Sequence, residues 1–459
     1  MSEGKKSLRL WKGMRKTRLS ATQIIALGFL GVILLGTVLL SLPVASRNGQ
    51  SCGVFTGLFT ATSATCVTGL VLFDTYTQWS AFGQAVILLL IEVGGLGFMS
   101  VAAVVIFMLR KKVGLKQKMV MAQAMSLNDM QGVVRLQRVV IFGSLGMQLL
   151  GALILTARFW PAYGFRQSLA WGVFHAVSAF CNAGFDIFGA VAPGESLIPF
   201  NSDPVVLLTL LALVTVGGLG FFVWEELVRV RSFRKCSVYT RLVLIATGVI
   251  LLLGTGLFLV LEWNNPQTIG PMPLWQKLLN ALFQTATLRT AGFAAVDQGA
   301  LTDGAKAVSM AVMLIGGSSG STAGGLKTVT FVVLLLFIWA KARGKSTVHI
   351  FHRTIPQDKA IDAMTIFFIM VTLAFAGGIV ISATSAVNFT DGLFEAVSAL
   401  ATVGVTAGVT PGLSLVAKVL MIVFMYFGRV GVLTISLGFL MGNKAQDRFR
   451  YADTNLLIG

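Results

Sequence analysis

The chain has 459 residues, of which 55% are hydrophobic and only 12% charged, with a mean hydropathy of +0.82. A soluble domain carries about a quarter charged residues, so this composition excludes a soluble globule and a disordered chain and points to an integral membrane protein. The net charge of +18 would suit nucleic acid only if the basic residues shared one wet surface, while Cys52, Cys66, Cys181, Cys236 and three histidines supply neither a disulfide framework nor a zinc site and leave little for enzyme chemistry.

Residues 1–20 form a basic arm with Lys5, Lys6, Arg9, Lys12, Arg15, Lys16 and Arg18. The uncharged run 21–42 that follows is long enough to cross a bilayer as a helix. Val44-Ala45-Ser46 offers a small-residue cleavage site, but the run exceeds a signal-peptide core and many apolar segments follow it, so it reads as a first span. Next comes an amphipathic stretch, 52–64, too short to span, then the small-residue run SATCVTGL (63–70), then a second apolar run at 79–109.

This order recurs three times. The second unit places its runs at 137–157, 168–180, SAFCNAGF (178–185) and 204–228. The third has 240–261, 275–287, ATLRTAGF (286–293) and 304–340, and the fourth 362–384, 390–400, SALATVGV (398–405) and 414–441. Gly69, Gly184, Gly292 and Gly404 close the four runs, 115, 108 and 112 residues apart by subtraction. EVGGLGF (92–98) and TVGGLGF (215–221) repeat within the second apolar runs. A period of this size marks one supersecondary unit used several times.

The basic residues recur at RKKVGLKQK (110–118), RVRSFRKCSVYTR (229–241) and KARGKSTVHIFHR (341–353), and again at Lys444, Arg448 and Arg450. Two crossings between clusters put all of them, with both termini, on the cytoplasmic side. The charge therefore orients the chain, and no nucleic acid is needed. The expected organisation is repeat 1 at 21–115, repeat 2 at 116–232, repeat 3 at 233–353 and repeat 4 at 354–445, between the arm at 1–20 and a cytoplasmic tail at 446–459. The predicted fold is an all-α membrane protein of eight transmembrane helices and four re-entrant pore loops, arranged as pseudo-symmetric helix–pore helix–filter–helix repeats around a central pore.

Non-helical backbone at membrane depth is tolerated only when buried in protein or lining a wet cavity. Four such segments satisfy that condition together by facing one axis, where rings of backbone carbonyls replace the water around a cation. Glycine suits the tightest point because it has no Cβ and reaches positive φ. Close helix packing accounts for the GGLGF glycines, but not for one glycine closing each of four short amphipathic stretches. The expected filter is Thr65, Cys66, Val67, Thr68 and Gly69, then Cys181, Asn182, Ala183 and Gly184, then Arg289, Thr290, Ala291 and Gly292, then Ala401, Thr402, Val403 and Gly404. Asp74, Asp186 and Asp297 follow the first three glycines and are expected either to gather cations at the mouth or to cap the next helix.

These four runs, with RTAGF at 289–293 and the broken helix of the third unit, resemble the Trk/Ktr/HKT superfamily of potassium transporters. The resemblance covers residues 21 to about 441 and is greater to the membrane subunits of Ktr-type systems than to the longer Trk members. It implies a homodimer bound on its cytoplasmic face to a ring of regulatory subunits that read ATP and ADP. In plant members a serine at the first filter position goes with sodium preference, so Gly69 implies potassium. No cofactor is expected on this chain itself; potassium, and sodium if coupled, is cargo. The stretch GGSSGSTAGGLKT (316–328) is no P-loop, because Leu326 separates Gly325 from Lys327 and the context is an apolar helix.

That stretch interrupts the run 304–340, with five glycines, three serines and a threonine between Gly316 and Leu326. Such residues are poor helix formers, and a loop just inside the filter is expected to gate it. The candidate gate is Gly316, Gly317, Ser318, Ser319, Gly320, Ser321, Thr322, Ala323, Gly324, Gly325 and Lys327, with Arg429 of FMYFGRVGVL. A buried arginine needs a partner, expected in Glu92 or in carbonyls; by the resemblance Arg429 contacts the loop and Lys327 sits near the pore. Glu92 is expected to pair between helices. Arg289 is expected to point off the axis onto an acid or carbonyl. Cys66 and Cys181 read as small packing residues, His175 as a core residue, and His349 with His352 as a solvated basic loop. NLLIG (455–459) is expected to dock at the dimer interface or beside the other subunit. The expected function is gated potassium translocation without covalent chemistry; the alternatives are a sodium- or ammonium-conducting relative and a non-conducting membrane sensor.

Overall fold

The computed structural model describes residues 21–97, 133–345, 347–351 and 353–431. The basic arm, the cluster at 110–118, His352, the inner ends of the runs 79–109 and 414–441, and the tail with NLLIG lie outside the described residues.

In chain order the α-helices of ten or more residues in the described chain are α1 (Ala21–Ser41), α2 (Val54–Thr65), α3 (Ala81–Leu96), α4 (Val133–Tyr163), α5 (Phe165–Cys181), α6 (Pro204–Leu219), α7 (Phe221–Val230), α8 (Val238–Glu262), α9 (Leu274–Thr287), α10 (Asp303–Leu314), α11 (Thr328–Ala342), α12 (Gln357–Thr384), α13 (Phe389–Leu400) and α14 (Leu415–Val430). Among the described residues, four segments are long and apolar enough to cross a membrane: Gln23–Ser41, Leu136–Tyr163, Val238–Glu262 and Gln357–Thr384; a fifth arises if α6 and α7, bent by 94°, count as one span. The chain is therefore a multi-pass helical membrane protein. Apolar side chains such as Leu35, Val38, Leu252 and Val260 lie exposed on two of these helices, as lipid-facing surfaces require.

Each long helix packs on the short one that follows it, α1 on α2, α4 on α5, α8 on α9 and α12 on α13. The third helix of each set starts from a side-chain cap. Ser80 accepts from Gly83 N, Asp203 from Val205 N, Thr302 from Ala305 N and Ser414 from Ala417 N, which satisfies amides that a helix start leaves free.

One buried cluster joins α1–α3 to α4–α6, with Leu40, Trp79, Ile87, Trp171, Phe180 and Phe188 at its centre. A second joins residues of α1 and α2 to the last set through Phe59, Leu70, Phe394, Met421 and Met425. The first set thus packs against both the second and the fourth, which brings the ends of the described chain back together.

Two features depart from the sequence expectation. The break is not confined to the third unit: the run 204–228 is cut at Gly220, whose φ of 96° and ψ of 144° lie outside the helical region. Gly97 ends α3 and Gly431 ends α14 with similar angles. Glycine reaches such angles without steric cost, and at Gly220 the break frees Phe221 N to donate to Gly320 O. Within this helical fold, Val348–Ile350 and Arg353–Ile355 pair as a short antiparallel hairpin across the end of the stretch 341–353, where a basic loop was expected. His349 lies in its first strand, within hydrogen-bond distance of the hydroxyls of Thr347 and Thr354.

Candidate functional site

The four short helices α2, α5, α9 and α13 end in the same way. Two residues before each glycine the chain turns into the left-handed region, at Val67, Asn182, Thr290 and Thr402, with φ between 53° and 71°. The glycines themselves have φ of 99°, 69°, 84° and 97°. A β-branched residue held at positive φ is strained, so three of these four turns are maintained by their surroundings.

Main-chain carbonyls at the ends of the short helices, and hydroxyls beside them, supply that support. Thr68 N donates to Ser63 O, Ala183 N to Ser178 O, Ala291 N to Thr287 O and Val403 N to Ser398 O, each at 2.8 Å. The Oγ of Ser63 accepts from Gly69 N at 3.1 Å and that of Ser398 from Gly404 N at 3.0 Å. Beyond the glycine, the hydroxyls of Ser178, Thr287 and Ser398 donate to the carbonyls of Phe185, Phe293 and Val405 at 2.6–2.7 Å. Sequence reasoning missed these hydroxyls, although Ser opens three of the four runs and Ala-Thr the other.

The four glycines meet. A Cβ built on Gly69 would press on Ala183 O, one on Gly184 on Ala291 O, one on Gly292 on Val403 O, and one on Gly404 on Thr68 O. Each glycine faces the carbonyl that precedes the next glycine in the cycle, and the cycle closes. Cys66, Cys181 and Ala401, at or just beyond the ends of the short helices, are buried. On the side that follows the glycines, a cavity of about 290 Å³ is lined by all four of them and by Asp74, Asp186 and Asp297.

Both roles weighed for these acids have a geometric counterpart. Asp74 accepts from Thr77 N at 2.8 Å and from Gly194 N at 3.2 Å, Asp186 from Phe188 N at 3.2 Å, and Asp297 from Gly299 N at 2.9 Å. Burial, and next the charge of Asp74, pushes the Asp186 carboxyl up to about 6.

On the opposite side lies the stretch from Gly316 to Lys327. It is not helical, but it is held. Ser318 N donates to Gly218 O and Thr322 N to Gly217 O, while Phe221 N donates to Gly320 O at 2.8 Å. The loop and the broken span α6–α7 thus satisfy one another's free groups. Tyr239 donates to Ser319 O, and Thr322 Oγ1 to Phe180 O at the end of α5. Gly324 and Gly325 abut Thr402 and Ala401, and Ser321 donates to Ser318 O. Lys327 Nζ turns back to Ala323 O at 2.8 Å.

Arg429 reaches across to this loop. Its guanidinium donates to Thr322 O, to Gly94 O and to Gly95 O, so carbonyls rather than Glu92 are its partners. The carbonyls of Gly94 and Gly95 belong to the C-terminal end of α3, where the helix carries partial negative charge. Gly94, Gly217 and Gly428 occupy corresponding positions and press on the carbonyls of Thr65, Phe180 and Leu400, leaving no room for a Cβ. The next position is Gly95, Gly218 and, in the third unit, Gly317; only the fourth unit puts an arginine there. Glu92 accepts instead from Gln148 at 2.9 Å and from the Cys181 thiol at 3.4 Å, across three helices. Arg289 does leave the ring, but it donates to a hydroxyl, Thr328 Oγ1 at 3.1 Å, rather than to an acid or carbonyl. Among the described residues no group of three His, Cys, Asp or Glu could hold a metal ion.

These features define a multi-pass helical membrane protein whose polar centre is built from main chain rather than from acidic or metal-ligating side chains. Over residues 16–449 the chain matches the TrkH family model, described as a cation transport protein, and it belongs to that family. It is 38% identical to the potassium/sodium uptake protein NtpJ of Enterococcus hirae over 98% of this chain and 99% of that one. It is 37% identical to the Ktr system potassium uptake protein B of Bacillus subtilis, with the same coverage. The crystal structure of the potassium transporter TrkH from Vibrio parahaemolyticus matches 92% of this chain and 86% of its own with a TM-score of 0.70 at 18% identity, a likeness of fold.

Proposed function

We propose that the chain is the potassium-translocating membrane subunit of a gated uptake system. The carrying observation is the closed cycle of four positive-φ glycines, each against the carbonyl before the next. Such a cycle offers a bare monovalent cation oxygens in place of its water, and the C-terminal ends of α2, α5, α9 and α13 add partial negative charge beside it. The family membership and the potassium uptake proteins among the relatives support potassium as cargo.

In this reading Asp74, Asp186 and Asp297 raise the cation concentration at the outer mouth, and the four pairs of crossings with four re-entrant helices surround one pore. The loop from Gly316 to Lys327, held by Arg429, obstructs the pore below the filter until cytoplasmic subunits draw it aside. A second copy of this chain and a nucleotide-binding ring are the expected partners, with both termini cytoplasmic. Expression in a bacterium lacking its own potassium uptake, on limiting potassium with and without sodium, tests the reading. Restored growth at low potassium is the expected result; no rescue, with the protein present in the membrane, would overturn it. Rescue only when sodium is present would assign coupled uptake.

A further inference from the structure

One turn before the hydroxyls that brace the filter, the short helices carry four different polar residues: Thr60, His175, Gln284 and Glu395, three positions ahead of Ser63, Ser178, Thr287 and Ser398. This spacing puts each pair on one helix face. All four are buried, and three of them grip the chain beyond the glycine. Glu395 accepts from Thr406 Oγ1, from Ala407 N at 3.0 Å and from Thr410 Oγ1 at 2.7 Å. His175 Nε2 accepts from Ile187 N at 3.2 Å, while Nδ1 lies 2.7 Å from Trp171 O and the ring stacks on Phe188 at 3.8 Å. Gln284 and Gln298 exchange amide hydrogen bonds at 2.6 and 3.0 Å. Ile187 and Ala407 both stand three residues past their glycine, so the second and fourth units anchor the same backbone amide. Thr60 is too short for this role, and among the described residues it makes no hydrogen bond to the stretch after Gly69.

We propose that this helix position sets how firmly each filter strand is held, and that Glu395 is the positioning residue that fixes the fourth strand and with it the preference for potassium over the smaller sodium ion. The inference rests on the filter reading above. Discrimination by a carbonyl ring requires that the ring not contract around the smaller ion, or that its oxygens keep their number and field. A buried carboxyl group that accepts from three donors cannot yield without orphaning them. The fourth strand is also where Gly404 closes the cycle onto Thr68, so slack there opens the ring at its join.

The test is the potassium-to-sodium flux ratio of purified full-length protein in vesicles. Glu395→Ala is expected to lower the ratio about tenfold, the scale of leaving buried donors without their acceptor. Glu395→Gln, which keeps an acceptor for Ala407 N, is expected to recover most of it, and Thr60→Val to move it little. If Glu395→Ala does not reach the membrane, Thr410→Val, which removes one of the three bonds to Glu395 together with a contact to Thr406, is expected to lower the ratio by a smaller factor. A wild-type ratio in whichever of these two variants is inserted, or an equal fall in Thr60→Val, would overturn the proposal. Absence of selective flux in the wild-type protein would instead sink the filter reading itself.

Discussion

Gly404 faces the carbonyl oxygen of Thr68 so closely that a Cβ there would require the backbone to move. This contact joins the last filter segment to the first and turns four strands into a closed cycle. Its φ of 97° adds a second barrier to any side chain. Gly404→Ala is expected to cut potassium uptake at least tenfold; a positive φ costs an L-residue roughly 1–2 kcal/mol before any clash. Gly164 has a positive φ but open space around it, so Gly164→Ala is expected to lower thermal stability slightly and leave uptake intact. Uptake in a potassium-deficient host, with membrane levels measured, separates the two effects.

Arg429 ties the loop to the end of α3 through three carbonyls. Removing the guanidinium leaves those carbonyls unpaired, at about 1–3 kcal/mol for each one left without water. Arg429→Ala is expected to raise potassium flux in vesicles lacking any cytoplasmic subunit, and Arg429→Lys, which can reach fewer carbonyls at once, to give an intermediate flux. Equal flux in all three proteins would remove Arg429 from the gate.

Thr328 connects filter and loop. Its hydroxyl accepts from Arg289 and donates to Gly316 O at 2.9 Å, while its amide donates to Gly317 O at 3.0 Å. Thr328→Val keeps the shape and removes both hydroxyl bonds. It is expected to increase leak flux and to expose the loop to faster hydrogen exchange between Gly316 and Lys327. Wild-type exchange in that stretch would show that the hydroxyl does not hold it.

Asp186 lies outside the spanning helices with its carboxyl pushed up to about 6, chiefly by burial. It is charged at pH 7 and neutral at pH 5, so cation gathering at the mouth is expected to weaken as pH falls through 6. The apparent affinity for external potassium should fall over that range in the wild type and stay flat in Asp186→Asn. The linkage runs the other way for folding: the native state binds the proton more tightly than an unfolded aspartate, so this group's contribution to stability increases as pH drops from about 7 toward 4.

Hydropathy, the recurring short amphipathic stretches and the four glycines made much of the molecule legible in one dimension. The short helices fall within three residues of their expected bounds and the long helices that precede them within six, because burial pattern and small-residue runs are local properties. The break at Gly220 was not legible, since glycine in an apolar helix packs as readily as it breaks. Its choice depends on Gly320 O being present to take the hydrogen bond from Phe221 N, and that carbonyl is a hundred residues away in sequence.

The chain on its own settled that this is a membrane protein, the order of its long and short apolar helices, and which residues are small enough to lie at a crowded centre. Tertiary structure alone decided that each glycine meets the carbonyl before the next, that Arg429 takes carbonyls in preference to Glu92, and that Arg289 settles on Thr328. Those outcomes hang on which buried donor finds which acceptor across helices, and inside a medium without water every such pairing excludes another.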